Sequence, residues 1–210
     1  MWLSIFIFTT IVAVFFILDA DPVTYFLPSP SHEVFMKGKV VWITGASSGI
    51  GASLAIDMAR AGATLVISAR RVGMLEQVAR NCKDVLPEGI VEPIVLPLDV
   101  TDVEAQKNAV HLVMERLGRI DTLVLNAGKS QRNTGVETPL SVTEDIMKLN
   151  FLSVVSLTTL VLPHMLQRKQ GQLAVMSSVS GVLGTPVASS YSASKFALVI
   201  QLLQTVKPQQ

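Results

Sequence analysis

Residues 39–51 read KVVWITGASSGIG. Lys39–Thr44 is an almost unbroken apolar run, the pattern of a parallel strand buried on both faces. Gly45, Gly49 and Gly51 then follow; lacking Cβ, they allow a tight turn and a close approach of backbone to a ligand. A helix from about Gly49 to Ala61 is expected next, and its first amides and dipole favour an anion such as a diphosphate. Tight turns need glycine without binding anything. Placement directly after a buried first strand is what turns this one into a nucleotide-site candidate.

Outward from this stretch, strands and helices alternate. Strand Ala63–Ala69 leads to a helix near Val72–Cys82, a strand within IVEPIVLPLD and a helix near Val103–Leu117. Strand Asp121–Asn126, a long helix around Val142–Arg168, strand Gln172–Ser178 and a last helix from near Ser190 complete the series. Such alternation with apolar strands predicts an α/β fold, a Rossmann-like, doubly wound parallel sheet covered by helices on both faces.

With 210 residues, half of them hydrophobic, and a net charge of +1, the chain can bury one ordinary core and shows no basic run of the kind that binds nucleic acid. The single cysteine, Cys82, excludes an internal disulfide, and three scattered histidines give no metal-ligand spacing. Trp2–Leu18, WLSIFIFTTIVAVFFIL, carries no charge and is close to the lower limit for a membrane-crossing helix. No Lys or Arg precedes it and no small-x-small cleavage site follows, so residues 1–18 are read as an uncleaved single-pass anchor rather than a signal peptide. Residues 19–37 then form a proline-containing linker, and 38–210 the Rossmann-like domain. The flanking charges leave the side of the membrane open.

Charge selects among dinucleotides. A site for NAD usually places a carboxylate at the end of the second strand, to bind the ribose 2′-hydroxyl. Here that strand ends SARR, with Arg70 and Arg71. A guanidinium fork suits a 2′-phosphate, so NADP(H) is expected, with Ser47, Ser48 and Ile50 of the turn beside it. Solvated arginines opening a helix are the plainer alternative.

YSASK places Tyr191 and Lys195 four residues apart, on one face of a helix. A free phenol titrates near about 10, and a neighbouring cation favours the phenolate, as a general acid/base needs. Ser178, thirteen residues before Tyr191, offers a hydroxyl to a developing oxyanion. Taken singly, Ser178 reads better as a cap and Asn150 as an exposed helix polar group; together with the glycine turn, in this chain order, they point to a site.

The spacing TGxxxGIG resembles the cofactor motif of the short-chain dehydrogenase/reductase superfamily. Within residues 38–198, VVWITGASSGIG, SARR, GRID, SQR, VLPHM and YSASK are similar to its dehydrogenase/reductase member seven branch. The resemblance implies a catalytic set of Ser178, Tyr191, Lys195 and Asn150, the last holding a water that links the lysine to solvent. It implies that Arg70 marks NADP preference, that Asp99 meets the adenine amino group, and that Gly128 lets the cofactor lie against backbone. LNAG stands where the family usually reads NNAG; Asn126 is expected to brace the sheet edge. Also implied are attachment to the endoplasmic reticulum membrane and a carbonyl or alcohol substrate of steroid, retinoid or xenobiotic type.

After Leu198 the likeness ends. Relatives continue with a sixth strand, a Pro-Gly segment, a substrate-covering loop and a seventh strand. Without them strand five is expected at an exposed edge, and the apolar run Phe196–Leu203 needs a homodimer contact, a membrane or aggregation to cover it. Two functions are therefore carried: an NADP(H)-dependent oxidoreductase, and a non-catalytic dinucleotide-binding or interaction fragment.

Overall fold

A computed structural model describes residues 35–205. The expected anchor at 1–18 and residues 19–34 of the linker lie outside the described residues. Five strands, β1 (Val40–Thr44), β2 (Thr64–Ala69), β3 (Ile94–Pro97), β4 (Thr122–Leu125) and β5 (Gln172–Val175), form one parallel sheet in the order β3-β2-β1-β4-β5. The helices between them are α1 (Gly49–Arg60), α2 (Val72–Lys83), α3 (Val103–Leu117), α4 (Leu140–Met147), α5 (Ser153–Gln167) and α6 (Ser189–Thr205). This is the expected doubly wound α/β architecture, and β5 is at the edge, paired only with β4 among the described residues.

β1, β2 and β4 read as apolar runs because both faces are covered, whereas on the edge strand β5 Gln172 and Ala174 stay exposed. On β1, Val41 and Ile43 join Leu65 and Ile67 of β2 and Val124 of β4 under α1 and α2. Trp42, Val66, Leu123 and Leu125 point the other way, beneath α3, α5 and α6. Period-two alternation thus sorts the side chains into two cores, each apolar. The one polar atom on Trp42 is satisfied in the interior, where Nε1 donates to Ser68 Oγ at 2.8 Å.

Between α4 and α5, residues Lys148–Leu152 form a π-helical turn. The three segments make one continuous helix, Leu140–Gln167, long and apolar enough by composition to cross a membrane, with a mean hydropathy of 1.6. Its apolar residues are nevertheless partly spent on the sheet: Val154, Leu157, Val161 and Met165 belong to the second core. Gln106 on α3, fully buried, fixes the helix pair by donating to Val100 O and Ser153 O and accepting from Ser156 Oγ.

The amino-terminal ends of the strands are closed by one carboxylate. Asp121, 5% exposed, accepts from Val40 N at 2.9 Å, Arg119 Nε at 3.0 Å and Arg168 Nη2 at 2.6 Å. GRID is thus a structural motif. Burial alone raises the Asp121 pKa, but the bonds from Arg168 and Val40 and the charge of Arg119 outweigh it and hold the carboxyl below its ordinary value.

Because the folded value lies below the unfolded one, this carboxylate's stabilisation is complete above the unfolded value of about 3.9 and is lost as pH falls through the folded one. Asp121→Asn is expected to cost about 3 kcal/mol near neutral pH, since it leaves Arg168 unpaired. In urea titrations the gap between the two proteins should hold from pH 5 to 8 and shrink below about pH 4.

Candidate active site

In an open parallel sheet, ligands bind beyond the carboxyl ends of the strands where the chain order reverses. Here that point lies between β1 and β4, and a cleft of about 740 Å³ opens there. One wall is the turn from β1 into α1. Gly45 has φ +68°, and a Cβ there would stand 2.7 Å from Ala127 Cα; at Gly51 it would meet Asn126 Nδ2 at 2.5 Å and Gly45 O at 2.6 Å. The turn is therefore pressed against the segment leaving β4. Asn126 locks it, donating from Nδ2 to Thr44 O and Gly45 O while its own N–H reaches Thr44 Oγ1. Asn126 braces the glycine turn rather than a sheet edge, because β4 lies inside the sheet.

Gly49 differs from its neighbours. Its φ is +58°, yet a Cβ would meet nothing within 4 Å. Ser48 at the helix N-cap makes no side-chain cap bond, so the first-turn amides of α1 have no partner from it. Ser47, Ser48 and Ile50 line the same wall.

The two arginines part company. Arg71 folds back over the turn, donating from Nη2 to Ser48 Oγ at 2.7 Å and Ser47 Oγ at 3.1 Å. Arg70 extends into solvent with Nη1 3.8 Å from Asp99 Oδ2. Asp99 does two jobs: Oδ1 accepts from Thr101 N and Oγ1, a turn cap, while Oδ2 faces the cleft-lining Arg70. Burial pushes its pKa up, but the Thr101 bonds and the charges of Arg70 and Lys148 bring it below the ordinary value.

Ser178, Tyr191 and Lys195 line the same cleft. Lys195 is 95% buried; its Nζ donates to Met176 O at 2.7 Å and lies 5.7 Å from the centre of the Tyr191 ring. Burial pushes the Lys195 pKa down. Since the folded value is below the unfolded one, the ammonium weakens the fold at lower pH, and that cost fades as pH rises through the folded value. Ser178 Oγ accepts from Ser180 N at 3.1 Å, which orients the oxygen and leaves its proton to donate. Ser177 also lines the cleft, with a buried Oγ that has no protein partner.

Asn150 is fully buried in the π-helical turn. Its Oδ1 accepts from Lys129 N at 2.9 Å, and its Nδ2 donates to Lys129 O at 2.9 Å and Ser194 Oγ at 3.1 Å. A Cβ on Gly128 would lie 3.2 Å from Asn150 Oδ1. The side-chain amide thus ties the segment after β4 to α6, the helix that carries Tyr191 and Lys195. Sequence reasoning did not single out Lys129; its signal was only proximity to Gly128.

The sequence matches the short chain dehydrogenase family over residues 39–208, and the chain belongs to that family. It is 47% identical over 162 residues to dehydrogenase/reductase SDR family member 7 of Homo sapiens, covering 76% of this chain and 47% of that protein, and 46% identical to its Mus musculus counterpart over the same shares. The chain spans about half the length of these relatives. Among solved structures it is similar to a metagenomic short-chain oxidoreductase in complex with NADP (TM-score 0.75, 27% identity, 81% of this chain and 76% of that one). Levodione reductase is similar to the same degree (TM-score 0.75, 28% identity, 79% of this chain and 64% of that one).

Two glycine substitutions separate packing from conformational freedom. Gly51→Ala should lower unfolding free energy by about 2 kcal/mol, because the methyl meets backbone that cannot yield. Gly73→Ala, in the first turn of α2 with open space around it, should instead raise it by about 0.5 kcal/mol. Chemical denaturation of the ligand-free protein reads both.

Proposed function

From membership of the short chain dehydrogenases, we propose that this chain holds NADP(H) and interconverts a carbonyl and an alcohol on a small, lipophilic substrate of steroid, retinoid or xenobiotic type. The observation that carries the reading is the shared cleft, lined by a glycine turn whose helix N-cap makes no side-chain bond to the first amides and also by Tyr191, Lys195 and Ser178.

The residues suit the cofactor. Gly49, where a Cβ would meet nothing, leaves room for a diphosphate against the amides of α1, while Gly45 and Gly51 let the turn pack against the exit of β4. Arg70 and Arg71 offer cations to a 2′-phosphate, Asp99 Oδ2 an acceptor to adenine, and Gly128 a bare backbone surface. When bound, the dinucleotide supplies or accepts the hydride.

The protein's own part is proton transfer and charge stabilisation. In the reducing direction the Tyr191 hydroxyl gives its proton to the oxygen that is becoming an alkoxide. Ser178, already accepting from Ser180 N, donates its own proton to the same oxygen. The Lys195 ammonium then stands beside the phenolate left behind, held in place by Met176 O. Asn150 keeps α6 and the β4 exit in register, its side-chain amide being spent on Lys129 and Ser194.

The uncharged stretch 2–18 supports attachment to a membrane, that of the endoplasmic reticulum by likeness to relatives. An apolar groove of about 220 Å³ between α5 and α6, including Leu162, Leu166 and Leu198, supports a homodimer through these helices. One observation favours a second reading, a dinucleotide-binding module without turnover. Segments beside Ser178 and Tyr191 leave Val179, Val182 and Val187 exposed, so the reacting end is poorly shielded from water.

Thermal shift and calorimetry with NADPH and NADH test the cofactor: NADPH should raise the melting temperature selectively. Arg71→Ala should weaken NADPH about 10–100-fold while sparing NADH, the loss of a charge-assisted contact; equal loss for both would remove the 2′-phosphate assignment. Tyr191→Phe should preserve NADPH affinity and cut carbonyl turnover by at least about 10²-fold. A phenylalanine variant that turns over at the parent rate rules out the proton-transfer role. Selective NADPH binding without turnover in either protein selects the second reading.

A further inference from the structure

The cleft's reacting end is bordered by two segments that lie side by side. Residues 179–189, VSGVLGTPVAS, carry no charge. They run from Ser178 to the start of α6 and meet the segment after β4 through the bridge between Asn133 and Ala188, with Asn133 N–H donating to Val187 O at 2.8 Å. Thr143 and Ser190 join α4 to the same corner through a 2.7 Å hydroxyl contact. On these segments Val179, Val182, Leu183, Val187, Val136 and Leu140 are between 54% and 99% exposed. Scattered surface aliphatics are ordinary, but six on adjoining segments at the mouth of one cleft form a patch that asks for an occupant. Val187 adds a second oddity. It has φ +55°, a left-handed backbone that a β-branched residue rarely adopts, and such outliers collect where function holds them.

We infer that this apolar rim rests on a lipid bilayer, so that a lipophilic substrate passes into the cleft from the membrane without crossing water. The inference deepens the functional reading by naming the route of entry, and it rests on that reading. What singles out lipid as the occupant is the chain itself. Trp2–Leu18 is uncharged and of near-spanning length, and residues 19–36 reach at most about 60 Å even if fully extended. A domain tethered that closely meets the bilayer at a high effective concentration, so a modest apolar patch suffices to hold an orientation. Aliphatic side chains without neighbouring charge on residues 179–189 suit the boundary between headgroups and acyl chains.

The test uses the full chain in phosphatidylcholine vesicles and needs neither cofactor nor turnover. Cys82 is buried and its thiol pKa is pushed up to about 11, so it stays unreactive near neutral pH, and Leu183→Cys can be labelled alone with an environment-sensitive fluorophore. Gln170→Cys, just before β5 and therefore at the opposite end of the sheet, is the control. Seating on lipid predicts blue-shifted emission at position 183, quenched several-fold by doxyl-labelled lipid, with water-like, unquenched emission at 170. Water-like emission at 183 overturns the inference, as does blue-shifted emission that doxyl lipid leaves unquenched, which means protein covers the rim. A chain that fails to float with the vesicles overturns both the anchor and the rim. None of these outcomes bears on NADPH binding, which the thermal shift reads separately.

Discussion

The whole site hangs on one backbone approach. Gly45 and Gly51 let the turn after β1 come so close to Asn126 and Ala127 that no side chain fits between them, and the Asn126 amide closes the gap with two bonds to carbonyls of that turn. Because β1 and β4 are neighbours, the ends of these two strands define the crevice where chain order reverses. The glycine turn then faces outward with its helix amides, and the exit of β4 carries Gly128 and Lys129 toward the reacting end. Loosen that approach and both ends of the cleft lose their common wall.

The architecture was plain in the sequence because the central strands are apolar on both faces, and helix bounds followed from the same change of period. Val103–Leu117 came out as read, and α6 began one residue earlier than expected. The third strand was harder to delimit: prolines flank Ile94–Leu96, and only four residues pair. Within the site, chemistry-bearing residues were legible by type and spacing, but their partners were not. Nothing in SARR tells which arginine folds over the serines, since adjacent side chains leave a strand end in different directions and tertiary neighbours decide. Asn150 looked like an exposed helix polar group under a regular 3.6-residue period. Its burial follows from a π-helical turn, which has no signature in residue type.

The two ends of the sheet divide the labour. At the amino ends, the nearly buried Asp121 is satisfied by a backbone amide and by two arginines that reach it from the surface. At the carboxyl ends polar groups are less well served among the described residues: Ser48 makes no side-chain cap bond to the first amides of α1, Ser177 Oγ has no partner, and the buried Lys195 donates to the carbonyl of Met176. These are costs in the ligand-free protein. They mark where a ligand completes the structure.

The π-helical turn also restricts how this chain can vary. It contributes one residue more than an α-turn, so everything after it on the helix is rotated by about 100° relative to an uninterrupted α-helix. Winding the same residues as a regular α-helix, with none removed, would swing Val154, Leu157, Val161 and Met165 off the sheet, whereas deleting one residue between Lys148 and Leu152 restores regular winding with all four still facing it. The core therefore tolerates a one-codon deletion there, and what such a deletion removes is the turn that carries the buried Asn150. The extra residue serves the Asn150 contacts to Lys129 and Ser194 rather than the packing of the sheet.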